Sequence, residues 1–258
     1  MVATVAPALR RGPGNWVRAY RALIVYDFTS LRLMLFETAF FQTLMGAGLA
    51  MTYGFLLGHL TPRIAAYVVT GAPTLALVPV GLVFLPGQVS QQRVSGSYDF
   101  TWSLPVPRSA AVASLLTLFA GMAVPGAVVT LVLSAWRYRV ALSPSPSIVP
   151  AVLLVSVMTA SLGYGLAHLV RSPVVVNVVA NALIFFVILF TPIAFPASQY
   201  PSWLVHVQQV LPLYPMAEIV RSGLDPGLVA GVGRAYAVLG AWTVAAWAAV
   251  GWVVGRRG

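Results

Sequence analysis

The chain has 258 residues, 59% of them hydrophobic and only 8% charged, with net charge +10 and no cysteine. Soluble domains carry about 25% charged residues, so a water-exposed fold cannot hide this much apolar surface, and disulfides, thiolate zinc sites and cysteine nucleophiles are excluded. All fifteen basic residues are arginines, so the lysine that a Walker A loop extends to the β- and γ-phosphates does not exist here.

In chain order, Met1 to Gly14 carries Arg10 and Arg11 but no apolar h-region before Trp16, which is not the pattern of a cleavable signal peptide. From Trp16, helical spacing collects Trp16, Tyr20, Leu23, Ile24 and Leu31 on one arc and Arg18, Arg21 and Arg32 on another, with Asp27 inside the apolar arc. That pattern predicts an amphipathic interfacial helix. A flexible basic tail is the competing reading.

Six stretches then run about 20 residues or more with little charge: Thr38 to Leu57, Ile64 to Leu85, Ala110 to Ala135, Ile148 to Leu169, Val174 to Ile193 and Ala235 to Val254. Each is long enough to cross a hydrocarbon core of about 30 Å. The expected fold class is therefore an all-α integral membrane protein, a single domain over residues 1–258. It has six transmembrane helices, an N-terminal segment 1–36 with the interfacial helix, a connecting loop 86–109 and an outer segment 194–234.

The arginines sit in short loops rather than in a stripe, the arrangement of topology signals and not of a nucleic-acid interface. Arg10, Arg11, Arg18, Arg21, Arg32, Arg93, Arg108, Arg171, Arg256 and Arg257 fall on the side of the termini, against Arg63, Arg137, Arg139, Arg221 and Arg234 opposite. The bias predicts cytoplasmic termini.

Pro86 to Ser109 is longer and more aromatic than a plain connector, and Arg93 to Leu104 reads as a short amphipathic helix stopped before Pro105. Ala194 to Arg234 is too apolar for an ordinary loop, yet Pro196, Pro201, Pro212, Pro215 and Pro226 break it. Interrupted backbone at membrane depth survives only under protein cover, so a re-entrant hairpin is expected, with a loop lying on the membrane as the alternative.

Within the spans, polar side chains at Glu37, Gln42, Thr43, Thr52, Asn177 and Asn181 are candidates for lining a path, or equally for helix–helix hydrogen bonds. Three dispersed histidines make no metal site; His168 reads as interfacial. Glu218 and Arg221, three apart, are expected to clasp the outer segment.

Two motifs then carry a resemblance. The run Gln92-Arg93-Val94-Ser95-Gly96 followed by Leu104-Pro105-Val106-Pro107-Arg108, and the series Phe195-Pro196, Pro201-Ser202-Trp203-Leu204, Leu211-Pro212-Leu213-Tyr214-Pro215 with Glu218 and Arg221, resemble patterns of the ABC-2 type permeases. These are the membrane subunits of ATP-driven exporters. Gln92 stands where the family usually has an acid.

The resemblance covers nearly the whole chain. It implies a coupling helix for an ATPase at Gln92, Arg93, Gly96, Tyr98, Trp102, Pro105 and Arg108. It implies an outer gate at Phe195, Pro196, Trp203, Pro212, Tyr214, Pro215, Glu218 and Arg221. It further implies two ATPase subunits carrying ATP and Mg2+, a second permease that is the same chain or a homologue, and no cofactor or catalytic residue in this chain.

The expected location is a bacterial cytoplasmic membrane. The expected cargo is an amphipathic small molecule, drug or lipid, with polysaccharide or glycolipid as the alternative. A rhomboid-like intramembrane protease, using Ser161 and His168, and a non-transporting assembly subunit are rivals of other classes.

Overall fold

A helix that is apolar on every side has to be wrapped on every side, and the stretch from Pro62 to Val94 is wrapped in this way. In the computed structural model, which describes residues 13–56, 61–170, 172–229 and 231–256, it is one 33-residue helical run whose most apolar stretch is 89% buried. At 1.5 Å per residue it is about 50 Å long. It comprises α2 (Pro62–Pro79), a π-turn at Val80–Phe84 and α3 (Leu85–Val94).

The helix runs well past the expected end of its span at Leu85. The run continues through Pro86, which stands in the first turn of α3 directly after the wider π-turn. The first third of the expected connecting loop is consequently helix.

Around this axis stand α1 (Pro13–Leu56), α5 (Arg108–Tyr138), α6 (Ile148–Leu169) and α7 (Pro173–Phe190), each in contact with it. The short α4 (Ser97–Ser103) closes one end. Beyond α7 come α8 (Ser202–Val210) and α9 (Leu213–Leu224), then α10 (Val232–Arg256), which joins the bundle through α6 and α9. No strand occurs among the described residues.

Among the described residues, four helical runs are long and apolar enough to cross a membrane: Pro62–Val94, Arg108–Tyr138, Ile148–Leu169 and Pro173–Phe190. A fifth is present if the two halves of α1, Gly14–Met34 and Phe36–Phe55, count as one broken span; they meet at a bend of 59°. The expected sixth span coincides with α10, whose side chains from Trp252 onward lie outside the described residues. So do Arg10, Arg11, Arg171, Arg257 and His59.

The apolar arc of the first half of α1 is turned onto α5. Leu23 and Leu31 are buried, Trp16 Nε1 donates to Ser109 Oγ at 3.0 Å, and Tyr20 Oη donates to Thr117 Oγ1 at 3.1 Å. Sequence periodicity identifies the arc correctly but not the surface it covers, since a wheel does not distinguish lipid from a neighbouring helix.

Small residues let these helices close up, as they do where water supplies no squeezing force. A side chain on Gly163 of α6 would collide with the Gly81 carbonyl of the π-turn, and one on Gly81 would collide with the α6 backbone at Thr159 and Ala160. Gly46 abuts Thr130 and Gly126 abuts Gln42, so α1 and α5 meet through the same device. Gly163→Ala is expected to destabilise the purified protein by about 1–3 kcal/mol, the usual cost of overpacking. Gly165→Ala, with nothing within 4 Å of the added methyl, should leave it unchanged; equal melting temperatures for the two variants would refute the close crossing.

Candidate functional site

The end of the bundle capped by α4 is built from alternating cations and rings. Arg93 lies over the Tyr98 ring at 5.2 Å, Tyr98 packs on Trp102 at 5.4 Å, and Arg108 lies over Trp102 at 5.2 Å. Local sequence produces the arrangement: Gly96 takes φ +76, a left-handed turn that L side chains rarely adopt. The turn folds α4 back on the end of α3, and Pro105 and Pro107 stop it before α5.

Tyr98 then reaches the end of α6. Its hydroxyl meets His168 Nε2 at 2.8 Å, while His168 Nδ1 meets the Tyr164 carbonyl at 2.8 Å. Since a carbonyl only accepts, Nδ1 carries the proton and Nε2 accepts from Tyr98. Arg93 Nη1 donates to the Ala167 carbonyl at 2.5 Å, capping the last turn of α6, where carbonyls lack helical partners.

Of the seven residues singled out here by sequence, Arg93, Tyr98 and Trp102 thus point inward and hold the helix down. Gln92 is half-buried, Gly96 makes the turn, and Pro105 and Arg108 are exposed. Two apolar side chains face outward from this corner, Val94 at 67% and Phe100 at 57% exposure, beside the exposed polar groups Gln91, Ser95, Ser97, Asp99 and Arg108. Sequence reading passed over Phe100, although its position two residues from both Tyr98 and Trp102 places it on the opposite side of a helix.

Between α4, the first half of α1 and the start of α5 lies an open cleft of about 240 Å³ lined by Gln88, Gln91, Gln92, Ser95 and Ser97, with Asp27 on its α1 wall. Asp27 pairs with no arginine among the described residues; Ser114 Oγ donates to its carboxylate at 3.0 Å. Burial pushes its pKa up to about 6, only partly offset by the Ser114 hydrogen bond.

About 35 Å along the central helix from Arg93, a second knot holds α9. Arg221 is 1% exposed. Its Nε donates to Thr70 Oγ1 at 3.2 Å, its Nη2 donates to the Ile193 carbonyl, and its guanidinium lies over the Tyr67 ring at 4.2 Å. Glu218 lies beside Tyr214 and close enough to Arg221 for charge attraction, while the hydrogen bonds of Arg221 go to α2 and to the segment after α7.

Of the remaining residues expected in this segment, Pro212 and Pro215 are buried at the start of α9 and Trp203 is exposed on α8. Phe195 packs edge-on against Tyr53 at 4.8 Å, and Pro196 precedes a short turn at Ala197–Gln199.

The candidates for a path do not share one environment. Gln42 is fully buried, its Nε2 donating to the Met122 carbonyl of α5 at 3.2 Å. Thr43 and Thr52 return their hydroxyls to the Ala39 and Gly48 carbonyls of their own helix. Glu37 is exposed next to the bend of α1. Asn177 and Asn181 are exposed on α7, joined by a 2.7 Å bond from Asn181 Nδ2 to the Asn177 carbonyl.

Ser161 donates to the Val157 carbonyl, an ordinary helical contact rather than that of an activated nucleophile. No group of three or more histidine or acidic side chains placed to hold a metal occurs among the described residues. No family model matches the chain, and no curated protein matches it.

The raised Asp27 pKa sets a pH dependence. The folded state holds the proton more tightly than an unfolded chain with a carboxylate pKa near 4. Stability from this group is therefore full below about pH 4 and lost as pH rises through about 6. Asp27→Asn should raise the melting temperature at pH 7.5, by no more than about 3 kcal/mol of stability. The gain should vanish near pH 4, and a pH-independent difference between the two proteins would refute this reading.

Proposed function

We propose that the chain is the membrane permease of an ATP-driven exporter of the ABC-2 type, energised by a separate ATPase. The observation that carries this reading is the α4 corner: a seven-residue helix pinned by a cation–ring stack to α3, α5 and α6, presenting Val94 and Phe100 outward. A loop with no partner has no need of such rigidity or of exposed aromatic surface. A rigid lever fixed to three helices transmits force, and nucleotide shifts a two-state permease only through contacts that differ between its states.

The rest of the exporter scheme is consistent with the architecture. Six membrane crossings follow if α10 and the second half of α1 both span. The pair α8 and α9, of nine and twelve residues, is too short to cross at about 14 and 18 Å, as a re-entrant hairpin before the last span would be. The α4 corner is then cytoplasmic, the Arg221 knot lies toward the outside, and a second permease completes the path. Apolar spans suit an amphipathic small molecule, drug or lipid as cargo.

Two measurements test the proposal. The chain has no cysteine, so Ser95→Cys is a unique label; a membrane-impermeant maleimide is expected to react in inside-out vesicles and not in intact cells, and labelling of intact cells would sink the scheme. The native chain should co-purify with an ABC-type ATPase and stimulate its hydrolysis, and Phe100→Asp, an exposed change, should abolish both. Hydrolysis and export at wild-type rates by that variant would remove α4 as the docking element.

A further inference from the structure

We propose that the elbow of α1 is a binding site for an anionic phospholipid, with the headgroup on Arg18 and Arg21 and an acyl chain in the groove where the bent helix meets α5. This requires only that the protein sits in a bilayer and is independent of export.

The groove, of about 470 Å³, is almost wholly apolar and is lined by Val25 and Phe28 from before the 59° bend, Ala39 from after it, and Gly121, Met122 and Pro125 of α5. On its α5 wall Gly121 supplies no side chain to fill the gap. A side chain at Gly121 would meet nothing within 4 Å.

Helical spacing sets charge against this groove. Arg21, Val25, Phe28 and Arg32 follow one another at intervals of three or four residues, so they share one stripe of α1, and all four are exposed. Val25 is 64% and Phe28 is 54% exposed, more than the buried arc on α5 requires.

Arg18 and Arg21 line a shallow hollow with Gly14 and Val17 one turn before the groove. From Arg21 to Phe28 the helix rises about 10 Å, a distance that a glycerol backbone and the first methylenes of a chain bridge. The single carboxylate on this half of α1, Asp27, projects about a third of a turn away, onto Ser114. The stripe therefore offers cations at both ends, an apolar middle and no competing acid. That is the complement of one negative headgroup with its chain, and arginines at a membrane surface favour acidic lipids by about 1 kcal/mol each.

Native mass spectrometry of the detergent-purified chain, offered phosphatidylglycerol or phosphatidylcholine with identical acyl chains, tests the site. Phosphatidylglycerol should be retained preferentially, and Arg18→Gln with Arg21→Gln should reduce that preference by about fivefold for each charge removed. Gly121→Leu, which occupies the groove without touching the fold, should weaken retention of both lipids. Ala39→Leu fills it from the other wall and should do the same if the glycine variant is poorly produced. Equal retention of the two lipids by the native chain would overturn the headgroup assignment, and undiminished retention in both groove-filling variants would overturn the site itself.

Discussion

The burial of the Pro62–Val94 helix governs the rest of the architecture. A helix without a polar face has no solvent side, so its neighbours must approach from all directions. They do so closely because glycine stands at the tightest crossing. Where the α6 backbone passes the π-turn at Gly81 and Gly163, two main chains touch without intervening side chains. In lipid the hydrophobic effect does not press helices together, and such van der Waals contact takes over its role. The π-turn between Pro79 and Pro86 belongs to the same solution, since a wider turn lets a proline-interrupted helix continue in register.

Two arginines then secure the opposite ends of this helix by the same chemistry. Arg93 donates to the Ala167 carbonyl at the last turn of α6, and Arg221 donates to the Ile193 carbonyl just beyond α7. Both acceptors are backbone groups left open where a helix stops, and both arginines also rest on a tyrosine ring, Tyr98 and Tyr67. A guanidinium can satisfy an orphan carbonyl and a ring face together, which a lysine ammonium does less well. In a chain without lysine, arginine serves at helix ends as well as in its loops.

Much of this was legible in the sequence, because length and hydropathy survive any packing. The span Ile148 to Leu169 coincides with α6, and the short helix before Pro105 forms as α4. What was not legible shares a cause, since each point depended on which neighbour a residue meets. Pro86 reads as a helix end unless the π-turn before it is known. Gln42 reads equally as a path residue or a helix–helix hydrogen bond, and only the slot that Gly126 opens on α5 shows what takes it in. Arg221 reads as the partner of Glu218 three residues away, and the structure adds Thr70 and Ile193, remote in sequence, as its hydrogen-bond acceptors. Periodicity reports a face, and only tertiary structure reports what covers it.

The helix α7 shows what one chain leaves open. Only 22% of its most apolar window is buried, and Asn177 and Asn181 lie on the uncovered side. A single bond along the helix uses one amide donor of Asn181, while Asn177 turns its Oδ1 toward Gly87 of α3, and hydrocarbon offers the amide groups still open nothing. An α7 turned to lipid would carry that penalty without return. If the chain works as proposed, beside a second permease, the same surface meets either a helix that hydrogen-bonds the asparagines or a wetted path that solvates them. Assembly and transport would then depend on one face of α7.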